Sequence, residues 1–526
     1  MLKSTLSLLL LVSGCLYGQK KTITILATTD LHGNILPYDY YTAKAASRGL
    51  AKIATLVRKA RADNPDTLLI DCGDTIQGST LEGVYQHGPR TLPDPMMLAM
   101  NALHYDAMVV GNHEFNFGLQ NLASARKAAK FPWLSANTEP GYAPYIIKEL
   151  AGEKVAIIGI TTPAVPAWEK PENYAGLTFR PGVEAARAAV EEVRRKYNPR
   201  LVVIAAHAGF ESVGQVPGEN MVGEIARTVP GIDAIVFGHS HRELAEQKIG
   251  NVVLVQPRNW GMSLAKIDFE FDGEKLLGKH STVLKVTDAT AVDEEIAALA
   301  KPYHAAAEAY LSAPVAEADV DMDGRASRVM DTALIDLIQQ VQLHYAKADV
   351  SFASSFNIGL HIRKGPVTVR ELAALYLYDN ELFAIEGTGK MVKDALENSA
   401  RFFGDSSVMG FNYDMAQGVQ YEIDVTRPAG DRIVNLRYQG KPLTPERKLR
   451  IALNNYRAGG SAGYDMFRDA KVLWRSGEEI REMMIRYYSE TKHLPAEADN
   501  NWRLVPQAAA AEYLKKAVAA PAVLSQ

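Results

Sequence analysis

The chain has 526 residues, too many for one hydrophobic core, so two or more domains are expected. Its composition is ordinary for a globular protein, 47% hydrophobic and 22% charged, and a net charge of −4 argues against binding to a nucleic-acid polymer, so any anion site must be local. The two cysteines, Cys15 and Cys72, exclude a disulfide scaffold, because Cys15 falls in a leader-like stretch and leaves Cys72 without a partner.

The N-terminus reads "MLKSTLSLLLLVSGCLYGQK". Lys3 precedes an apolar run from Leu6 to Val12, too short to span a bilayer as a permanent helix. A secretory signal peptide over residues 1–18 is expected. The protein would then be exported across the inner membrane, to the periplasm or to a lipid-anchored place at the cell envelope. "LVSGC", ending at Cys15, is similar to a lipobox, whose cysteine is lipidated; cleavage near Gly18 is the alternative.

Strand-like apolar runs then alternate with helix-like segments. The runs are "TITILATT", "DTLLID", "YDAMVVG", "KVAIIGI", "LVVIAAH" and "IDAIVFG"; "LAKIATLVRKARA" and "GVEAARAAVEEVRRKY" lie among them. Runs this apolar are buried on both faces, which predicts an α/β domain with a parallel or mixed sheet over residues 21–290. "NVVLVQP" and "LAKIDFEFD" alternate more and are expected at an edge or in a second sheet. Cys72 follows a buried strand and reads as an inert core thiol. From Asp293 to Ala318 the chain turns Ala- and Glu-rich without strand runs. It reads as a long exposed helix, so residues 291–325 are taken as the interdomain connector. Residues 326–526 form an α+β unit that opens with the helix "MDTALIDLIQQVQLHYAKA" and contains the strands "QYEIDV" and "KLRIALNNY". The Ala-rich tail from Gln507 adds a helix.

Chemistry-bearing residues concentrate at the carboxyl ends of the first-half strands. "TTDLHGN" brings Asp30 and His32, "DCGDTIQG" brings Asp74, and "GNHEFNFG" brings Asn112 and His113. "AAHAG" brings His207, and "FGHSH" brings His239 and His241. Ligands bind outside the carboxyl ends of strands in open α/β sheets, so five segments delivering Asp, His or Asn to that edge would converge. Carboxylate and imidazole together suit borderline divalent cations: Zn, Mn, Fe or Co. Seven candidate ligands are too many for one tetrahedral site, which points to two ions sharing a carboxylate.

"DLHGN", "GDTIQGS", "GNHEFNFG", "AHAG" and "GHSH" resemble the calcineurin-like metallophosphoesterases, and more narrowly the 5′-nucleotidase family. The resemblance covers nearly the whole mature chain and implies a four-layer α/β/β/α first domain followed by a 5′-nucleotidase C-terminal domain. It assigns one metal to Asp30, His32, Asp74 and His241, and the other to Asp74, Asn112, His207 and His239, with Asp74 bridging. It places His113 at the site without a metal bond, to stabilise developing charge or protonate the leaving oxygen. Two cations lower the pKa of a water between them, so that hydroxide attacks phosphorus in line while the metals neutralise phosphoryl charge.

In the second half, Tyr378 in "LYLYDNELF" and Tyr456 in "LNNYRAGGSAGY" resemble the family's base-sandwiching rings, which stack on any planar base. "SSFNIGLHIRKG", with Asn357 and Arg363, resembles its phosphate loop, with the glycines partly replaced. Ser461 stands where many relatives have an Asp on the ribose. Position 116 tilts the substrate. 5′-Nucleotidases commonly carry Asp there, whereas the 2′,3′-cyclic-nucleotide 2′-phosphodiesterase/3′-nucleotidase subgroup reads NHEFN, as here with Asn116. A carboxylate beside an imidazole raises its pKa, and a neutral amide does so much less. The resemblance therefore implies a hydrolase of cyclic and 3′-nucleotides, and a monomer is expected. The alternatives are a 5′-nucleotidase or UDP-sugar hydrolase, then a thiosulfohydrolase, then a non-enzymatic surface or nucleotide-binding protein.

Overall fold

The computed structural model of the chain describes residues 20–211, 216, 218–378, 380–495 and 497–519. The expected leader, with Cys15 and its lipobox, lies outside the described residues. Among those residues, no helix is long and apolar enough to cross a membrane.

Every apolar run of the first half forms a strand, but the six do not share one sheet. Lys20–Thr28, Thr67–Asp71 and Ala107–Val109 pair in parallel within one six-stranded sheet. Glu153–Thr161, Leu201–His207 and Ala234–Phe237 do so within another. Alternation along the strands explains why the runs are apolar on both faces. In the first sheet Ile25 packs between the sheets, against Ile157, Val203 and Val236. Its neighbour Leu26 faces the other way, into the core that holds Leu50, Ile53 and Ala54 of helix Leu50–Asp63. In the second sheet Val202 and Ile204 pack under Ala186 and Val190 of helix Gly182–Tyr197. The result is helix, sheet, sheet, helix, the four layers the family resemblance implies.

The two more alternating runs lie one place in from the edge. Val252–Gln256 pairs with Ala234–Phe237 and is covered by the edge strand Leu244–Ile249. Ser263–Asp272 pairs with Lys20–Thr28 and is covered by Lys275–Lys285. On this side of each sheet the edge is the partly exposed hairpin partner, which carries the charges that blunt an edge.

The 293–318 segment departs from expectation in two ways. Helix Glu294–Leu311 is docked rather than exposed along its length. It buries Ile296, Ala300, Tyr303, Ala307 and Leu311, spaced to lie on one face, against helices Thr80–His87 and Pro95–Ala102. Tyr303 fastens it by donating to the Pro93 carbonyl at 2.6 Å. Residues Pro314–Ala318 are a strand, paired with Gly365–Thr368 and His493–Leu494 of the second half. Alanines that read as solvent-tolerant are the small side chains that let helices approach.

The second half is α+β as expected. Its main sheet runs Asp414–Gln417, Val350–Ser354, Lys448–Asn454, Glu381–Thr388 and Val472–Glu479. Helices Ala333–Ala346, Gly389–Ala400 and Ile480–Thr491 pack around it, and the tail forms helix Gln507–Ala519.

Candidate active site

The strands Lys20–Thr28, Thr67–Asp71, Ala107–Val109, Leu201–His207 and Ala234–Phe237 all end on one side of the sandwich, and the polar residues that follow them meet there. Asp30, His32 and His241 place one ligand atom each within 4.8 Å of one another, and so do Asp74, His207 and His239. Within the first group His32 Nε2 stands 3.0 Å from His241 Nε2, and His241 Nε2 stands 3.4 Å from Asp30. Within the second, His207 Nε2 lies 3.0 Å from Asp74 Oδ2 and 3.1 Å from the Asn112 side-chain oxygen. All seven residues named from the sequence are therefore gathered.

The backbone is bent to achieve this. Asp30, His32, Asp74, His239 and His241 have φ values of 49°, 46°, 57°, 73° and 54°, in a left-handed region that L side chains adopt at a cost. Glycines allow the close approach. A β-carbon on Gly111 would collide with Asp74 Oδ1, and one on Gly238 would collide with Thr29 Oγ1 and come within 2.5 Å of Asp30 Oδ2. Glu114 ties the loops together. Its buried carboxylate accepts from the backbone N–H groups of Gly111 at 2.7 Å, Asp74 at 2.9 Å and Thr75 at 2.6 Å. Asp71 does the same for Gly73 N–H and the Thr75 hydroxyl, both at 2.8 Å.

The electrostatics suit a cation site. Burial alone would push the Asp30 carboxyl up, but His241 and His207 outweigh it and hold it low. Asp74 is likewise held well below the carboxylate range, against burial, by His207 and His113. Burial and the neighbouring His241 bring His32 down to about 4, so its ring is neutral and free to ligate. Asp74 Oδ2 is buried, and its near neighbour is His207 Nε2 at 3.0 Å. A buried, ionised carboxylate oxygen facing imidazole nitrogens is costly unless positive charge, a proton or a cation, sits between them. The donor set of oxygen and imidazole nitrogen fits borderline divalent cations.

His113 reaches the site on the 3₁₀ turn His113–Phe115, its ring 5.3 Å from that of His32 and its backbone N–H on Asp74 Oδ1 at 2.8 Å. Its orientation is set through Asn116. The Asn116 amide nitrogen donates to Glu169 Oε2 at 2.7 Å, so its oxygen faces His113 Nδ1 at 2.6 Å. Nδ1 of His113 therefore carries the proton, and Nε2 is left for the site. Burial lowers the His113 pKa, but Asp74 and the Asn116 bond overcome it and raise the imidazole above its ordinary value. Glu169 gave no sequence signal, because it lies 53 positions downstream of Asn116 in a loop. Glu219, 3.1 Å from His239 Nε2, escaped notice for the same reason.

Tyr378 and Tyr456 are both exposed rings, 36% and 46% accessible. Tyr378 stands between Phe356 and Phe411, at centroid distances of 5.0 and 6.2 Å. Tyr456 belongs to "NNYR", whose other members build its support. Asn454 caps the short helix Asn455–Ala458, Asn455 accepts from Asn380 at 3.0 Å, and Arg457 makes a buried bidentate pair with Asp414 at 2.7 and 2.8 Å. Asn357, next to Phe356, donates to the Ala374 carbonyl at 3.1 Å and leaves its buried oxygen unpartnered. Arg363 is exposed, and its side chain makes no hydrogen bond or ion pair among the described residues. The guanidinium near Tyr378 is that of Arg328, which donates to the Ser355 carbonyl at 2.8 and 3.1 Å.

Cys72 is buried with its thiol pushed well up by burial, which fits the inert reading; its carbonyl accepts from His207 Nδ1 at 2.8 Å.

Comparison with known proteins agrees with this geometry. Residues 23–243 match the calcineurin-like phosphoesterase family and residues 314–469 the 5′-nucleotidase C-terminal domain. The chain is 32% identical to the trifunctional nucleotide phosphoesterase protein YfkN of Bacillus subtilis, a match that covers 92% of this chain but only 39% of YfkN. It is 31% identical to the 2′,3′-cyclic-nucleotide 2′-phosphodiesterase/3′-nucleotidase of Salmonella typhimurium, over 92% of this chain and 89% of that one. The crystal structure of a 5′-nucleotidase precursor from Thermus thermophilus superposes with a TM-score of 0.58 at 27% identity, covering 93% of this chain and all of the other. With both domains matched, and a relative of this identity covered nearly end to end, the chain belongs to the 5′-nucleotidase family of calcineurin-like phosphoesterases, which are metal-dependent phosphoester hydrolases.

Proposed function

We propose that the protein hydrolyses nucleotide phosphoesters, with 2′,3′-cyclic nucleotides and 3′-nucleotides as its preferred substrates. The observation that carries this reading is the amide of Asn116 on His113, where a 5′-nucleotidase would place a carboxylate. The names of relatives such as the Salmonella enzyme favour it too. Asp30, His32, Asp74 and His241 would hold one divalent cation, and Asp74, Asn112, His207 and His239 a second, with zinc, manganese, cobalt and iron all compatible with the donors. Bound there, such a pair supplies a nucleophile from water at neutral pH and neutralises charge on the phosphoryl oxygens.

The side chains do the rest. His113, protonated and presenting Nε2, donates its proton to the departing ribose oxygen: first the 2′ oxygen as the cyclic ester opens, then the 3′ oxygen as the monoester is cleaved. Asn116 and Glu169 keep that ring in one tautomer. Tyr378 and Tyr456 stack the base without reading its identity. Glu381 stands three residues beyond Tyr378 and is close enough to His113 for the imidazole to lower its carboxyl, against a larger upward push from burial. On this reading the base grip and the proton donor would border one cleft between the halves of the chain. A hinge at residues 291–325 would let the second half move substrate to the metals, and the docked helix Glu294–Leu311 would be its fixed side.

A 5′-nucleotidase activity is the second reading, favoured by the similarity to the Thermus protein. Export past the inner membrane is proposed from the leader-like N-terminus alone. The deciding experiment incubates manganese- or cobalt-loaded protein separately with 2′,3′-cAMP, 3′-AMP, 5′-AMP and UDP-glucose, and measures phosphate release, with added phosphatase for the cyclic substrate. Preference for the first two is expected; preference for 5′-AMP would overturn the choice.

A further inference from the structure

A second acidic cluster lies in the other half of the chain, and the proposed reaction makes no use of it. Asp331 precedes helix Ala333–Ala346, Asp336 sits in its first turn, and Asp499 comes from the turn before strand Trp502–Val505. One oxygen from each lies within 4.8 Å of the other two. Three carboxylates this close repel, and a fold normally answers with a cationic side chain. Among the described residues none pairs with any of the three. The bonds they do receive come from neutral groups. Asn501 N–H serves Asp331 Oδ2 at 3.2 Å and Asp499 Oδ1 at 3.1 Å, Asp499 N–H serves Asp336 at 2.9 Å, and the Gln417 amide nitrogen serves Asp499 Oδ2 at 3.0 Å.

One further fact points to a missing partner. Asp331 is only 5% exposed, and its Oδ1 is buried with no hydrogen-bond donor. When Asp331 is ionised this oxygen can only accept, and beside two further carboxylates what it lacks is a proton or a cation. The cluster opens on a surface hollow of about 520 Å³ lined by Asp336, Gln340, Gln417, Glu497 and Asp499, wide enough for a hydrated ion to enter.

We propose that Asp331, Asp336 and Asp499 bind a hard divalent cation of the calcium class, which fastens the 497–501 turn to the start of helix Ala333–Ala346. The ligands are all oxygen, unlike the imidazole-rich catalytic cluster, and this is the chemistry that selects calcium over zinc or cobalt. Burial, reinforced by the acidic neighbours, pushes Asp331 up to about 7 and Asp336 up to about 8, so without a cation the cluster competes for protons instead.

The test uses full-length protein with its catalytic centre loaded with manganese, titrated with calcium chloride. Wild type should show a saturable rise in melting temperature and one calcium bound by calorimetry. Asp331→Asn and Asp499→Asn should each weaken calcium binding at least about tenfold, on the scale of lost metal contacts, while nucleotide turnover stays unchanged. Without calcium, Asp331→Asn should melt no lower than wild type, since the amide relieves repulsion; a merely structural aspartate would make it melt lower with or without calcium. The exposed Asp499 keeps the test open if the buried Asp331 variant folds poorly. No calcium response in wild type, or one that persists in both variants, overturns the proposal.

Discussion

Replacing Asn116 with Asp puts a charge where the structure has a dipole, and the consequence can be worked out. The side-chain oxygen lies 2.6 Å from His113 Nδ1. Unit charges about 4 Å apart interact by ~4 kcal/mol at an effective dielectric of 20, which corresponds to roughly three pKa units at ~1.4 kcal/mol each. Glu169 prevents the full effect. Its Oε2 is 2.7 Å from the amide nitrogen that the substitution turns into a second carboxylate oxygen, so two carboxylates would share one place and resist joint ionisation. The net rise expected at His113 is therefore about 1–2 units. As proton donor, His113 sets the basic limb of the pH dependence of kcat/KM, and that limb should move upward by the same amount. The assay is 3′-AMP hydrolysis by manganese-saturated enzyme, with metal content checked at each pH. The double variant Asn116→Asp/Glu169→Gln removes the competing carboxylate and should shift the limb further. A single variant whose profile superimposes on wild type would refute the reasoning, as would a double variant that shifts less than the single.

Other perturbations give separable readouts. His113→Asn should lower kcat by about 10²–10⁴-fold with metal content unchanged, by elemental analysis, as removal of a general acid does. Tyr378→Ala and Tyr456→Ala should each raise KM by about 5–100-fold with little loss of kcat, because stacking is worth ~1–3 kcal/mol per base; equal losses in kcat would place the rings elsewhere in the reaction. Gly238→Ala should lower both the melting temperature and the bound metal, since its β-carbon would meet Thr29 and Asp30. Cation-free protein should lose thermal stability as pH rises. Asp331 and Asp336 are held at about 7 and about 8, above an unfolded value near ~3.9, so their contribution is complete below pH ~4 and is lost through pH 7–8. Asp336→Asn should flatten that slope, which Asp499, Glu497 and His344 around the same hollow also shape.

The cluster of Asp, His and Asn side chains was legible in the sequence because its signal is local: each candidate ligand sits within a few residues of a strand end, and strand ends of a parallel sheet face one way. What supports the cluster was not legible, because it depends on loops meeting. Glu114 lies inside the motif, yet its task appears only when Gly111, Asp74 and Thr75 bring their N–H groups to it from two strands. Glu169 and Glu219 come from loops with no period and no strand to announce them. The left-handed backbone at Asp30, His32, Asp74, His239 and His241 is equally silent, since none of these positions is a glycine.

At the level of the fold, an apolar run shows that both faces are covered but not what covers them. Helices on both faces of one sheet, and helices on one face with a second sheet on the other, produce the same string of Val and Ile. Only the pairing of Lys20–Thr28 with Thr67–Asp71, and of Leu201–His207 with Glu153–Thr161, separates the cases. Helix Glu294–Leu311 misled for the opposite reason: Ala300 and Ala307 are buried, but alanine also fills the solvent face, so the spacing of Ile296, Tyr303 and Leu311 was too sparse to stand out. That docking has a mechanical consequence. The connector cannot bend in its middle without exposing Tyr303, while its C-terminal end is already tied to the second half, Glu308 by Arg370 at 2.8 Å and the Ala313 carbonyl by the Val369 N–H at 3.1 Å, so a swing of the second half would have to break those bonds or carry that end of the helix with it.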